Sequence, residues 1–225
     1  MKELQALLGQ LISLELSGNI IFTGKLVDYG PDILVISSRA NYLYIPISHV
    51  HFITRALDEE EDGADPQNQS APLSLLGDSI SYRKMLVHAK GIFVEIFVSG
   101  NQSIHGYITA IMNDFVEFYS PVFRTLYISM DHIKYLIPNL TNRTPYSLSN
   151  DHYPVKPSNL TLARTFEQQV NKLIGKFVVF DLVQNPQKIG LLKSMNQQLL
   201  ELTTANGETY YWSLKHIKTV HHPDG

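Results

Sequence analysis

The sequence predicts a mainly β protein built from three tandem units, each with five short, strongly bent strands preceded by a short helix. Three spacings predict it. A glycine opens each unit, at Gly9, Gly91 and Gly175, and a second follows fifteen residues later, at Gly24, Gly106 and Gly190. Each unit closes on a histidine followed by a β-branched residue: His49-Val50, His132-Ile133 and His216-Ile217. Asn19, Asn101 and Asn185 also fall at one offset from the first glycine. Self-similarity at fixed offsets is the signature of repeated supersecondary units.

Within each unit the first strand is an apolar, β-rich run: LISLEL, IFVEIF and KFVVFDL. Ser-Gly-Asn or Gln-Asn-Pro turn signals bound these runs. The second strand carries the second glycine: IIFTGKLV, SIHGYITAI and KIGLLKSM. A glycine inside a strand marks a bulge or a bend where a small sheet curls on itself. ILVIS, FVEFYS and LLELTT read as third strands, and NYLYIPI, TLYISM and TYYWSL as fourth strands. A very short fifth strand begins at the histidine.

Helical segments are expected before each unit, at 2–8, 74–89 and 160–173. In the third, Leu162, Phe166, Val170 and Leu173 recur at helical spacing, with Ser158 or Asn159 as the cap. In the second, Ile80, Lys84, Met85 and Val87 form a less regular stripe. The expected boundaries are unit one at 1–55, an acidic linker at 56–73, unit two at 74–138, a Pro-rich linker at 139–158 and unit three at 159–225. The acidic linker holds Asp58–Asp62 with Pro, Gly and Gln, a composition that favours a solvated tether.

Composition narrows the function classes. Of 225 residues, 44% are hydrophobic and 17% charged, with a net charge of −3. There is no basic run of the kind that supplies affinity for phosphates, which counts against a nucleic-acid partner. There is no cysteine, so disulfides and thiolate metal sites are excluded. The N-terminal MKELQALLGQLISLELSG is too polar for a signal-peptide core. No window reaches the roughly 18 apolar residues of a membrane span, so no membrane partner is expected. The sequons at Asn139 and Asn159 read as chance matches.

A helix followed by five bent strands, with glycine in the second, resembles the Sm-like fold, a small SH3-type barrel. LGQLISLELSGNIIFTGKLVDYG is similar to the first Sm motif and YLYIPISHVHFI to the second. The resemblance implies three tandem five-stranded barrels. The RNA-reading residues of that fold, an Asp/Asn pair and an Arg-Gly or Lys-Gly step, are not reproduced. The first loops offer Asp28 and Asp32, Asn113-Asp114 and Asn196-Gln197; the second offer Ser48-His49, Asp131-His132 and Lys215-His216.

The endings DHIKYL (131–136) and KHIKTV (215–220) also resemble the repeats of the outer spore-coat protein B family of Bacillus-type spore formers. That resemblance implies a structural component of the spore coat or an outer spore layer. It would be made in the mother-cell cytoplasm without a signal peptide, with itself and other coat proteins as partners. The Ser/Lys/Arg-rich tail of that family, which a coat kinase phosphorylates, has no counterpart before Gly225, so a phosphorylation role is not carried over.

No residue set reads as catalytic, and no cofactor or metal is expected. His49 and His51 would share one strand face and suggest a metal pair. His51, however, is replaced by Lys134 and Lys218 in the other units, which favours a structural role for the repeated His49, His132 and His216. Each imidazole is expected to tie down the corner between the last two strands by bonding backbone groups. Glu15, Glu95 and Asp181 all lie in the first strands and read as an exposed face. Asp58–Asp62 lacks the ligand spacing of a calcium loop. His221-His222 reads as a frayed end.

The aromatics of the fourth strands, Tyr42, Tyr44, Tyr127, Tyr210 and Trp212, are the candidate assembly edge. Open strand edges pair with other strands. In Sm-like rings the fourth strand of one barrel pairs with the fifth of the next. Three barrels joined in this way would make a half ring, which two chains close or many extend into a filament or layer. The plainer expectation is a compact trimer of barrels with no strand-level assembly. Beside the non-enzymatic structural module stand an Sm-like RNA-binding module and a peptide-binding adaptor that uses the barrel grooves.

Overall fold

In a computed structural model, alternating apolar residues curl into fifteen strands, with three short α-helices, among the described residues. It describes residues 2–39, 41–56, 73, 79–99, 102–139, 146, 161–183 and 185–223. Asp58–Asp62, Asn101 and the caps expected at Ser158 or Asn159 lie outside the described residues. All strand pairings among the described residues are antiparallel.

The chain forms two compact units. The first comprises residues 1–97 with 134–142, and the second 98–133 with 143–225. In the first unit, α1 (Lys2–Gln5) precedes β1 (Leu11–Leu16), β2 (Ile20–Tyr29), β3 (Ile33–Ser38), β4 (Asn41–Pro46) and β5 (Val50–Arg55). It also holds α2 (Tyr82–Ala89), most of β6 (Phe93–Ser99) and β10 (Tyr135–Pro138). The strands lie in the order β5-β1-β2-β3-β4-β10-β6.

The second unit contains β7 (Gln102–Ile111), β8 (Phe115–Ser120), β9 (Arg124–Ser129), α3 (Phe166–Asn171) and β11 (Phe177–Phe180). It closes with β12 (Ile189–Asn196), β13 (Leu199–Thr203), β14 (Thr209–Ser213) and β15 (Thr219–His221). Here the order is β7-β8-β9-β15-β11-β12-β13-β14.

Each unit has its own core. In the first, Ile12, Leu14 and Leu16 of β1 face Leu26, Leu34, Ile36, Leu43 and Ile45, joined by Phe97 and Tyr135. The phenyl ring of Phe97 stacks on Tyr135 at 5.0 Å, and Phe22 meets that tyrosine edge-on at 5.1 Å. In the second, Phe115, Tyr127, Phe166, Val170, Phe180, Leu192 and Leu202 form the centre.

The second glycine of every repeat bends its strand. A Cβ at Gly24, Gly106 or Gly190 would lie 2.4, 2.0 or 2.2 Å from the backbone carbonyl oxygen of Ser37, Tyr119 or Thr203 on the third strand. Only a residue without a side chain lets the two backbones approach this closely. Two residues further along, each second strand carries a register shift: Leu26/Asp28, Ile108/Ala110 and Leu192/Ser194. The opening glycines serve differently. Gly9, Gly91 and Gly175 have φ of 76°, 77° and 83°, a left-handed turn with open space around it.

The expectation of three tandem five-stranded barrels is met in part: each repeat supplies five strands but none closes into a barrel of its own, and the fourth-to-fifth strand pairing expected between successive repeats is present. In the first repeat the ladder order β5-β1-β2-β3-β4 leaves β4 and β5 at opposite ends, connected by a one-turn 3-10 helix, Ile47–His49. β4 does not close on β5, because its outer edge is occupied by β10, the fifth strand of the second repeat. The outer edge of β9 is likewise taken by β15, the fifth strand of the third. The helices are shorter than expected. α2 starts after Ser81 and α3 after Thr165, whose side chains accept from Lys84 N–H and Gln168 N–H.

Candidate assembly interface

Two junctions join successive repeats, and they have one register. Tyr44 on β4 pairs with Leu136 on β10. Tyr127 on β9 pairs with Val220 on β15, and Ile128 with Thr219. Counted from the repeated histidine, Tyr44 and Tyr127 hold one position, and Leu136 and Val220 hold another. Ser129 N–H donates to Lys218 O at 2.9 Å and extends the second ladder. Burial is deep: Tyr44 is 0% exposed, Tyr127 2%, Leu136 0% and Val220 0%.

The candidate edge aromatics therefore separate. Tyr42, Tyr44 and Tyr127 are buried, contrary to the expectation of exposed aromatics; their strands pair with β3, β10 or β15, and Tyr127 belongs to the core of the second unit. The Tyr44 hydroxyl accepts from Leu73 N–H at 2.8 Å, and burial holds its pKa above the usual phenol range. Tyr135, beside the same junction, is pushed up to about 12 by burial and, secondarily, by the Glu95 carboxylate.

On β14, Tyr210 and Trp212 stack with centroids 6.3 Å apart. The Trp212 indole N–H donates to Gln187 O at 3.3 Å, and the Lys188 ammonium lies 4.8 Å from the Trp212 ring. Tyr211, which sequence reasoning did not single out, points the other way and is 67% exposed. It occupies the position of Tyr44 and Tyr127.

The junctions have a second component that the sequence carried unread. The residue eight positions after the second glycine is Asp32, Asp114 or Gln198. Asp32 Oδ1 accepts from Tyr82 N–H at 2.8 Å, and Asp114 Oδ1 accepts from Phe166 N–H at 2.7 Å. Both amides open the helix of the following repeat, where backbone donors lack intrahelical partners. The signal was the carboxylate at one offset in the two repeats that have a successor, and an amide in the third. Asp114→Ala is expected to lower stability by about 1 kcal/mol in urea denaturation.

The repeated histidines do not share one bond. His49 Nδ1 lies 3.2 Å from Ser17 Oγ, and Ser17 N–H donates to His49 O at 2.8 Å. His132 Nε2 meets Lys215 O at 3.0 Å, in the 3-10 turn of the next repeat. His216 is exposed. His51 stands apart, 3.3 Å from Glu15 Oε1. Asp181 is not on an exposed face as expected. It is 5% exposed, and its Oδ1 accepts from Lys218 and Thr219 N–H while its Oδ2 meets the Lys188 ammonium. His221 lies in β15, and His222 Nδ1 meets Phe177 O at 2.8 Å, so the pair is not frayed.

Burial lowers the pKa of His132, opposed by its bond to Lys215 O. The folded protein then favours neutral imidazole, while the unfolded chain binds the proton near about pH 6.5. Stability is full above that value and falls as pH drops from it toward the lower folded pKa. Thermal melts at steps between pH 8 and pH 5 are expected to show this loss, with a shallower slope for His132→Gln.

Among the described residues no three His, Cys, Asp or Glu side chains converge as a metal site, and no helix is long and apolar enough to cross a membrane. Against known proteins, 225 residues are 42% identical to the YwrJ protein of Bacillus subtilis (strain 168), covering 99% of this chain and all of that one. The chain belongs to the YwrJ family. Residues 165–220 match the family described as YwrJ third domain, a span running from the α3 cap into β15. A more distant likeness, 24% identity over 149 residues, connects 65% of the chain to 37% of spore coat protein B of the same organism. Sequence comparison thus places the chain in the YwrJ family, with a distant likeness to spore coat protein B.

Proposed function

We propose that the chain is a non-enzymatic structural component of the spore coat or an outer spore layer, and that it assembles through the strand edges of Sm-like repeats. The observation that carries this reading is the repeated fourth-to-fifth strand junction, a mode of connection that serves between chains as well as within one. The distant similarity to a protein named spore coat protein B supports the location. The Sm-like character of each repeat is supported by the glycine-bent second strand and by the one-turn 3-10 helix ahead of the fifth strand.

The test is a fluorescent fusion expressed from its own promoter in the spore-forming host. A ring of signal on the released spore, extracted with the coat fraction, is the expected result. Signal that stays diffuse in the mother cell and is lost at lysis would overturn the reading.

A further inference from the structure

Three repeats joined by two junctions leave one fifth strand and one fourth strand over. Among the described residues β5 pairs only with β1, and β14 only with β13. The geometry points to a second copy of this chain as the occupant of both: β14 of one copy adds antiparallel to β5 of the next, in the register of the internal junctions. This rests on the structural reading above and supplies its contact.

The register follows by position. Tyr44↔Leu136 and Tyr127↔Val220 transfer to Tyr211↔Ile53, and Ile128↔Thr219 transfers to Trp212↔Phe52. Ser129 N–H to Lys218 O transfers to Ser213 N–H and His51 O. Exposure follows the same pairing. Where the junction is filled, the tyrosine position is 0% and 2% exposed; at Tyr211 it is 67%. Phe52 is 48% exposed, while its counterparts Tyr135 and Thr219 are 8% and 1%. The register would give each of the largest apolar groups left in water on these two strands a cross-strand neighbour, Ile53 for Tyr211 and Trp212 for Phe52.

Other features agree. Exposed edges are ordinarily blunted by lysine, proline or bulges. Neither β5 (VHFITR) nor β14 (TYYWS) holds a lysine or a proline, Arg55 at the end of β5 is the one full charge, and the irregularity of β5 is the register shift past His51 in its pairing with β1. His216 is exposed, whereas His132 reaches the 3-10 turn of the next repeat at Lys215 O. The corresponding acceptor for His216 is Ser48 O of the second copy. Gln198 in place of Asp32 and Asp114 makes the contact between copies a strand pairing without the carboxylate-to-helix link. The contact is heterologous, so each copy both gives β14 and receives on β5.

The chain has no cysteine, so introduced thiols report the register directly. Chains carrying Phe52→Cys are mixed with chains carrying Trp212→Cys, and Ile53→Cys chains with Tyr211→Cys chains, each first shown to melt cooperatively. Facing residues on antiparallel strands lie within disulfide reach, so matched pairs are expected to cross-link about tenfold faster than Phe52→Cys with Tyr211→Cys, which face opposite sides. Equal rates for matched and mismatched mixtures, or no cross-link in either matched mixture, would overturn the pairing. A chain that stays in the spore layer without cross-linking removes this inference and leaves the structural reading. A chain that cross-links but is absent from spores does the reverse.

Discussion

Tyr127→Ala is expected to destabilise the second unit by about 3–5 kcal/mol, the usual cost of truncating a large buried aromatic. Tyr127 is 2% exposed, belongs to the core cluster of that unit and meets Phe115 edge-on at 5.9 Å. It is also the junction residue opposite Val220, so the truncation loosens β9 from β15 as well as emptying the core. The chain has a single tryptophan, Trp212, on β14 of the same unit, so its fluorescence in a urea titration reads the transition. Tyr211→Ala, at the same repeat position, is expected to change stability by no more than about 0.5 kcal/mol, because a truncated exposed group leaves no cavity. A comparable loss for both variants would show that the free edge is part of the folded core.

Gly106→Ala is expected to cost about 3 kcal/mol, at the upper end for overpacking. The added Cβ would lie 2.0 Å from Tyr119 O and 2.8 Å from the Phe118 ring, and a backbone carbonyl in a ladder cannot swing aside as a side-chain end does. Gly91→Ala is the control. It has φ of 77° but nothing within 4 Å, so it carries only the left-handed backbone cost of about 1–2 kcal/mol. Denaturation midpoints rank the two. A larger loss at Gly91 would contradict the view that close strand approach, rather than turn conformation, is what the second glycine provides.

Strands were the most legible part of the fold. LISLEL and FVEFYS became β1 and β8 without a changed boundary, because apolar alternation between turn residues is a local signal. The repeat register was equally legible, since two glycines and a histidine at fixed offsets need no tertiary knowledge. The pairing of a fourth strand with the fifth of the next repeat was legible only through the resemblance to Sm-like rings, because whether β4 meets β5 of its own repeat or β10 of the next depends on competition between partners with similar edges, and both answers fit the same local sequence. Helix lengths were overestimated because the apolar spacing of Leu162 to Leu173 continues outside the six residues of α3, where Leu162 packs on the core from an irregular segment.

The junction itself was half legible. The fourth strands were singled out for their aromatics, but Tyr44 and Tyr127 read the same as Tyr210 and Trp212 until burial distinguished filled positions from open ones. Tyr211 and Phe52 carry no local signal, because each gains meaning only from the identity of its counterparts in the other repeats. In sequence, Asp32 and Asp114 read only as departures from an RNA-reading loop. Their bonds to Tyr82 N–H and Phe166 N–H show a structural use that depends on the next repeat being present.

Sedimentation velocity on two edge variants tests the complementary edges most directly. Phe52→Lys places a charge on β5, and Tyr211→Lys places one on β14. The unaltered chain is expected to sediment faster with rising concentration, and each variant alone as a monomer. A mixture of the two is expected to form a dimer and nothing larger, because β14 of the Phe52→Lys chain meets an intact β5 on the Tyr211→Lys chain. An unaltered chain that stays monomeric at every concentration, or a mixture that fails to dimerise, would contradict the pairing of β14 with β5.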